Sequence, residues 1–277
     1  MRKKSEIDFD KYNQLVVADD NAVTHEYSSS YRGRVQNRKI DAVFLPMFQL
    51  SFSQYDNGVK SYQAYDRDVE QFNLRQKPLR KLYVRCDVKT LTEDENKAVF
   101  AVIDSLSAAI GASRNIAKEK GLLIQRAVAN TVVQNYADAI SDLTVYISTD
   151  STSAMAYWQR AVCQARMNEF EASQGKDVGL LTLNAMADLD KAISLSPHNP
   201  YVYYDRGNLH AVSKDYVKAV ADYTKAIELD PNFAEAYYNR GIANINLKKT
   251  EEGIRDLSKA GELGLYNAYS IIKKYSN

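Results

Sequence analysis

A period of 34 residues constrains this chain more than any other feature of its sequence. YYDRG at residues 203–207 returns as YYNRG at 237–241, so that tyrosine, arginine and glycine recur 34 positions apart. YWQRA at 157–161 and LIQRA at 123–127 extend the series toward the N-terminus. Self-similarity at such a period is typical of repeat proteins, in which each unit stacks on its neighbours to bury its apolar side. The period therefore predicts an array of similar units.

Each unit is predicted to contain two amphipathic helices. In the third unit, apolar residues return at three- and four-residue spacing between positions 219 and 227, as on a helix with one apolar face. Pro197 and Pro231 follow the second helices of the second and third units, where a proline ends a helix and opens the next turn. Small residues lie where the two helices of a pair are expected to cross closely: Ala127, Ala161, Gly207, Gly241, Ala139, Ala185, Ala219 and Gly253.

This pattern resembles the tetratricopeptide repeat family. The resemblance rests on an early aromatic residue, a small residue four positions later, an alanine in the second helix, an aromatic residue or leucine after it, and a closing proline. The aromatic and leucine positions are Tyr157, Tyr203, Tyr237, Leu143, Leu189, Tyr223 and Leu257. The resemblance covers about residues 117–277 and implies a mainly α fold, a solenoid of about four helix pairs followed by a capping helix.

The period also sets the predicted boundaries of the units. The second unit departs from the period because about 12 extra residues separate its two helices. After the fourth unit, LYNAYSIIKKYSN is predicted to form the capping helix, with its apolar side chains toward the last unit. The predicted repeat region is 119–277, with units at about 119–150, 151–196, 197–230 and 231–264.

A small α+β or extended region is predicted before the repeats. Residues 1–90 are expected to be irregular and β-containing, because VFLPMFQLSFSQY and KLYVRCDVK alternate apolar and polar residues as strands do. DNG at 56–58 is a turn signal for a hairpin, with VKSYQAY as its possible return strand. Thr92 and Glu95 have the spacing of a capping box, so a connecting helix is predicted over 91–118.

An arginine and an aspartate occupy the same two positions in all four units. They are separated by 16 residues in three units and by 28 in the unit with the insertion. A planar guanidinium can hold a carboxylate with two hydrogen bonds, and a residue that occurs four times is structural rather than catalytic. The sequence therefore predicts structural ion pairs between the two helices of each unit: Arg126 with Asp142, Arg160 with Asp188, Arg206 with Asp222, and Arg240 with Asp256.

In the tetratricopeptide repeat family, the first helices line a concave groove that binds extended peptides or partner helices. By repeat position, the resemblance implies a partner-binding groove formed by Ile124, Val128, Val132, Trp158, Val162, Arg166, Tyr204, Asn208, Tyr238 and Ile242. An exposed apolar strip normally marks an interface, so a protein or peptide partner is predicted. The alternative is an architectural subunit whose groove is filled by its own N-terminal region.

No motif predicts catalysis, a metal site or a cofactor. His25, His198 and His210 lack metal-ligand spacing, and Cys86 and Cys163 form no CxxC pair. The net charge of +1 gives no general attraction to nucleic acid. No apolar run approaches the roughly 18 residues that span a bilayer. A non-enzymatic interaction or scaffold role is predicted, with no cofactor, no nucleic acid and no direct membrane span.

Residues 31–52, YRGRVQNRKIDAVFLPMFQLSF, also resemble a segment of large exported bacterial cell-envelope proteins that carry such repeats. This resemblance implies that the chain is a C-terminal portion of such a protein and lies in the periplasm or the cell envelope. Without it, a cytoplasmic location is expected. No feature of the sequence specifies an oligomeric state.

Overall fold

The computed structural model describes residues 44–50, 83–85, 91–113, 116–175 and 179–275, all within one compact unit. These residues form two short strands, β1 (Phe48–Leu50) and β2 (Tyr83–Arg85), and ten helices. The helices are α1 (Glu93–Gly111), α2 (Ile116–Val132), α3 (Tyr136–Thr149), α4 (Ala154–Ser173), α5 (Gly179–Leu195), α6 (Pro200–Val212), α7 (Tyr216–Leu229), α8 (Ala234–Asn246), α9 (Thr250–Glu262) and α10 (Ala268–Tyr275).

The predicted mainly α solenoid is confirmed. Helices α2 to α9 form four successive pairs, each packed on the next, with α1 against the first pair and α10 against the last. The second helix of every unit buries one large apolar residue completely, at the leucine or tyrosine position identified in the sequence. These residues are Leu143, Leu189, Tyr223 and Leu257. Burying one such side chain is worth about 1.5–3 kcal/mol, so the repeated position anchors each unit.

The start of α1 agrees with the sequence, and its end does not. The Thr92 side chain accepts a hydrogen bond from the backbone N–H of Glu95, and the Glu95 carboxylate accepts one from the backbone N–H of Thr92, which confirms the capping box. The connecting helix predicted over 91–118 ends at Gly111, however, with Ala112 as its C-cap. A separate helix begins at Ile116. The break allows α1 and α2 to pack against each other as two elements.

The turns between the paired helices of units one, three and four share one backbone conformation. Gln134, Lys214 and Lys248 have φ of 61°, 61° and 64°, in the left-handed region. In the fourth unit, the backbone N–H of Lys249 donates to the carbonyl of Asn244 at 2.9 Å, and that of Lys248 to Ile245 at 3.0 Å. This is the Schellman pattern that satisfies the last carbonyls of a helix, here built without glycine.

Glycine allows the closest crossings between paired helices, as the small residues in the sequence predicted. A Cβ added at Gly207 would lie 2.7 Å from the ring of Tyr223. A Cβ added at Gly241 would lie 2.9 Å from the carbonyl oxygen of Gly253. Neither contact is tolerable, so these two positions require glycine.

The two strands pair antiparallel, with Phe48 opposite Arg85 and Leu50 opposite Tyr83. The strand predicted in VFLPMFQLSF therefore pairs with the strand predicted in KLYVRCDVK. The hairpin turn predicted at 56–58 lies outside the described residues. Strand β1 packs on α4 and α6, the first helices of the second and third units.

The insertion in the second unit lengthens its helices. Helix α4 has 20 residues and α5 has 17, against 13 and 14 in α6 and α7. Asn168 donates a hydrogen bond to Thr182 between the two longer helices. Close to this contact in sequence, Phe170 on α4 and Leu183 on α5 are 57% and 68% exposed. The second unit therefore carries a longer helix pair with apolar side chains in solvent.

Candidate binding groove

Residues 44–50, called the docked segment below, lie against the first helices of the second, third and fourth units. Met47 and Phe48 are buried in the same apolar cluster as the core of the solenoid. Phe44 and Leu45 also pack against the cluster formed by α8, α9 and α10. The groove is defined here as the face of α4, α6 and α8 that faces this segment.

Asn239 on α8 holds the main chain of Leu45 as a neighbouring strand would. Its Oδ1 accepts the backbone N–H of Leu45 at 2.7 Å, and its Nδ2 donates to the carbonyl of Leu45 at 2.9 Å. Asn239 itself is fully buried. An amide side chain supplies one donor and one acceptor, so it can satisfy both polar groups of one residue at once. This contact reads the backbone of the segment and not its side chain.

Two side chains of α6 complete the contact with the main chain. The hydroxyl of Tyr204 donates toward the carbonyls of Leu45 and Pro46, at 3.1 Å from each. The Nδ2 of Asn208 donates to the carbonyl of Leu45 at 3.2 Å. The hydroxyl of Tyr223 in turn donates to Oδ1 of Asn208 at 2.7 Å, which fixes the orientation of that amide. The polar groups of the groove therefore form one connected network, and such a network rigidifies a site when its members are satisfied.

Phe48 fills a pocket made of aromatic rings. Its ring centroid lies 5.0 Å from that of Tyr201, 5.4 Å from Phe233 and 5.5 Å from Tyr204. The rings are tilted or edge-on, the geometries that aromatic pairs prefer. At the other end of the docked segment, Phe44 stacks on Tyr216 at 6.3 Å.

Asp205 links the docked segment to the second unit. Its Oδ1 accepts the backbone N–H of Phe48 at 2.8 Å, and its Oδ2 accepts Nε1–H of Trp158 at 2.7 Å. The carboxyl is fully buried. Burial raises the pKa of Asp205 well above its ordinary value, and the two N–H donors act in the opposite direction. Three elements, β1, α4 and α6, thus meet at one carboxyl group.

Some of the predicted groove residues contact the docked segment, and others lie in the core of the solenoid. Tyr204 and Asn208 contact the docked segment directly, and Trp158 reaches it through Asp205. Tyr238 and Ile242 belong to the cluster against which Phe44 and Leu45 pack, whereas Ile124, Val128 and Val162 are buried in the main core. Val132 and Arg166 are partly buried, and Arg166 pairs with Glu169 at 2.6 Å.

The sequence left two alternatives open, an exposed apolar strip and a strip covered by the chain's own residues, and the burial of these side chains agrees with the second. Eight of the ten predicted groove residues are buried, because neighbouring helices and the docked segment cover them: Ile124, Val128, Trp158, Val162, Tyr204, Asn208, Tyr238 and Ile242.

The sequence prediction missed Asp205 and Asn239, which make the most direct polar contacts with the segment. Both lie immediately before the repeated arginine, and Gln125 and Gln159 hold the same position in the first two units. The recurrence of a polar residue at this position in every unit could have indicated a row of contact residues along the groove. Gln159, Asp205 and Asn239 are all fully buried.

Each repeated arginine contacts its aspartate and also the element before its own unit, which is α1 for the first unit and the preceding unit for the other three. In the third unit, Nε and Nη2 of Arg206 lie 2.9 and 2.7 Å from the two carboxylate oxygens of Asp222. Its Nη1 lies 2.8 Å from Oδ1 of Asp190, which belongs to the second unit. The other three arginines make the same two contacts with Asp142, Asp188 and Asp256 and a third with Ser107, Thr144 and Thr224. The pairs thus join units as well as helices.

Among the residues that the structure describes, no group of three or more His, Cys, Asp or Glu side chains could hold a metal ion. In the same part of the chain, no helix is both long and apolar enough to cross a membrane.

Comparison with known proteins agrees with this architecture. Residues 200–233 and 222–255 match two sequence models of the tetratricopeptide repeat. No curated protein sequence matches the chain significantly.

Solved structures share the fold at low sequence identity. A crystal structure of MamA is 22% identical, covers 65% of this chain and 99% of its own, and superposes with a TM-score of 0.52. A tetratricopeptide repeat protein from Parabacteroides merdae is 14% identical over 79% of this chain and 72% of its own, with a TM-score of 0.54. A thermophilic tetratricopeptide repeat protein from Thermus thermophilus is 12% identical over 76% and 98%, with a TM-score of 0.50. The chain is therefore folded as a tetratricopeptide repeat solenoid.

Proposed function

We propose that this tetratricopeptide repeat solenoid is a non-enzymatic interaction scaffold whose groove holds residues 44–50 of the same chain. The observation that carries the proposal is the pairing of Asn239 with both backbone polar groups of Leu45. Of the two hypotheses, a groove open to a partner and a groove filled by the N-terminal region, the burial of Met47 and Phe48 favours the second.

The chemistry of the groove supports a role in holding extended chain rather than in catalysis. Its polar atoms face the main chain of Leu45, Pro46 and Phe48, and aromatic rings hold one side chain. The buried carboxyl of Asp205 is occupied by two N–H donors. In this arrangement the groove fixes the N-terminal region to the repeats, and partners are contacted by other surfaces.

The longer helix pair of the second unit is the surface that we propose for those contacts. Phe170 and Leu183 are exposed on these two helices, which the hydrogen bond between Asn168 and Thr182 joins. The proposed setting is the cell envelope, which rests on the resemblance of residues 31–52, and fractionation of the source cells tests it.

Amide hydrogen exchange tests the docking of residues 44–50. Asn239→Ala removes both hydrogen bonds to the main chain of Leu45, so the amides of Leu45 and Phe48 should lose most of their protection. Asn246→Ala is the matched control, because Asn246 lies on the same helix and bonds only its own helix, at the carbonyl of Ile242. Equal exchange of these two amides in the wild type and in Asn239→Ala would contradict the proposal.

Affinity capture from a native lysate of the source cells tests the scaffold role. Three full-length chains are compared: the wild type, Asn239→Ala, and the double variant Phe170→Ser with Leu183→Ser. We expect the wild type and Asn239→Ala to capture the same partner and the double variant to lose it. Loss of the partner in Asn239→Ala alone would instead assign capture to the groove.

A further inference from the structure

We infer that the groove selects its ligand by two features of an extended segment: a backbone N–H and carbonyl at one residue, and an aromatic residue with its own N–H three positions later. Residues 44–50 then act as an internal competitor against peptides of the same pattern. The inference rests on the proposed docking function and deepens it, because it names the class of ligand that the groove can exchange.

The first feature requires a residue other than proline at the position of Leu45. The backbone N–H of Leu45 donates to Oδ1 of Asn239 at 2.7 Å, and a proline has no such donor. The carbonyl of Leu45 receives donors from Tyr204, Asn208 and Asn239 at 2.9–3.2 Å. The side chain of Leu45 is only partly buried, so this position reads the main chain.

The groove makes fewer contacts with the next two positions of the segment, Pro46 and Met47, and so restricts them less. Pro46 contributes only its carbonyl, at 3.1 Å from the hydroxyl of Tyr204. Proline also favours an extended conformation in the residue before it, which suits the segment. Met47 is 5% exposed, so a charged side chain at this position would be buried among apolar neighbours. The groove therefore accepts proline at the second position and an uncharged residue at the third.

The second feature is read by the aromatic pocket together with Asp205. Three ring centroids lie 5.0–5.5 Å from that of Phe48, and the Phe48 side chain is almost completely enclosed. Oδ1 of Asp205 takes the backbone N–H of the same residue at 2.8 Å. The side chain and the main chain of one residue are thus recognised together, which fixes the register of the ligand.

Exchange with an external peptide follows from competition. The docked segment and a second ligand compete for the groove. The apparent affinity for the second ligand is therefore its affinity for the open groove multiplied by the fraction of molecules whose groove is open. A substitution that weakens the docked segment without changing the groove should remove this reduction. Phe48→Ala is such a change, because it empties the aromatic pocket and leaves Tyr201, Tyr204 and Phe233 intact.

The test uses the full-length chain and a synthetic peptide of residues 44–50, FLPMFQL, capped at both ends and carrying two added C-terminal lysines for solubility. Trp158 is the only tryptophan of the protein, and its hydrogen bond to Asp205 makes its emission a reporter of groove occupancy. We expect the peptide to bind the Phe48→Ala chain at least tenfold more tightly than the wild type. A peptide with alanine at its second phenylalanine, or with that phenylalanine N-methylated, should bind at least tenfold more weakly than the parent peptide.

A folded Phe48→Ala chain that binds no peptide would overturn the inference, and so would equal binding of the parent and alanine peptides. Neither result would touch the proposed docking, which the exchange of Leu45 and Phe48 amides in the wild type decides separately. If Phe48→Ala does not fold, exchange of those amides in the wild type with excess peptide gives the same decision. The parent peptide must then accelerate their exchange, and unchanged exchange refutes the inference.

Discussion

At the scale of single residues, Asp205 should make docking depend on pH. Burial, the largest cause, raises its pKa well above the ordinary value, and the hydrogen bond from the backbone of Phe48 opposes this shift. Release of the docked segment would remove both effects, and we expect the loss of burial to dominate and to lower the pKa. A carboxyl with a higher pKa in the docked state binds more protons there, so docking is strongest at low pH and weakens as pH rises through the raised pKa. Tyr204 and Tyr223, the other buried titratable groups beside it, also have raised pKa values and stay neutral.

We therefore expect the emission of Trp158 in the wild type to change with rising pH in the direction that Phe48→Ala produces. Asp205→Asn removes the titrating group, so its emission should show no such transition. Its docking should also be weaker, because an amide offers one acceptor for the two N–H donors of Phe48 and Trp158. The same transition in Asp205→Asn would show that another group is responsible.

Arg206 has a structural consequence of its own. Arg206→Ala would leave the buried carboxylate of Asp222 without two hydrogen bonds and would release Asp190 of the preceding unit. We expect the free energy of unfolding to fall by about 3 kcal/mol, the low end for removing one partner of a buried pair. Urea unfolding measures this loss. Arg255→Ala, at an exposed position, is the control and should change the free energy of unfolding by less than about 0.5 kcal/mol.

The sequence predicted the residues that act within a unit better than those that act between distant segments. Arg206 and Asp222 were visible because the same pair recurs in every unit. Asp205 and Asn239 differ from the glutamines at their position, and their partners lie 157 and 194 residues away in sequence. Nothing local marks a contact over such distances, so the polar residue before each arginine was not connected with the docked segment.

At the scale of elements, the turns between paired helices contain non-glycine residues in the left-handed region, a strained conformation that lowers stability. Lys248 has φ of 64°, which glycine adopts without a steric penalty. Lys248→Gly should therefore stabilise the protein by about 1 kcal/mol, the lower limit for relieving a left-handed non-glycine residue. Lys259→Gly is the control, because Lys259 lies within α9, where glycine is less favourable than an ordinary helix former by about 1 kcal/mol. Thermal unfolding should show a higher midpoint for the first variant and a lower one for the second.

Helix types and pairings were predicted from the sequence, but not every helix end was. Thr92 and Glu95 carry a capping signal in their own side chains, and the structure confirms it. The end of α1 at Gly111 also has a local signal that the prediction of one helix over 91–118 overlooked, because Gly111, Ser113 and Asn115 are residue types that favour helix ends and caps.

At the scale of the whole molecule, the docked segment changes how the units depend on one another. In a solenoid each unit contacts its neighbours, and stability is approximately a sum of unit and interface contributions. Here one segment contacts the third and fourth units and, through Asp205 and Trp158, the second as well. The sequence predicted a strand around Phe48 without its place, since alternation of apolar residues does not identify the surface that a strand covers.

The attachment of residues 44–50 to α6 and α8 has a mechanical consequence. A pulling force applied between a point before Phe44 and the end of α10 would pass from the segment directly into the third and fourth units. The first two units would lie in a closed loop that carries no tension until the segment is sheared from Asn239 and Asp205. The segment would then act as a mechanical clamp, and its rupture would transfer the force to the first two units, which are folded and packed on the third.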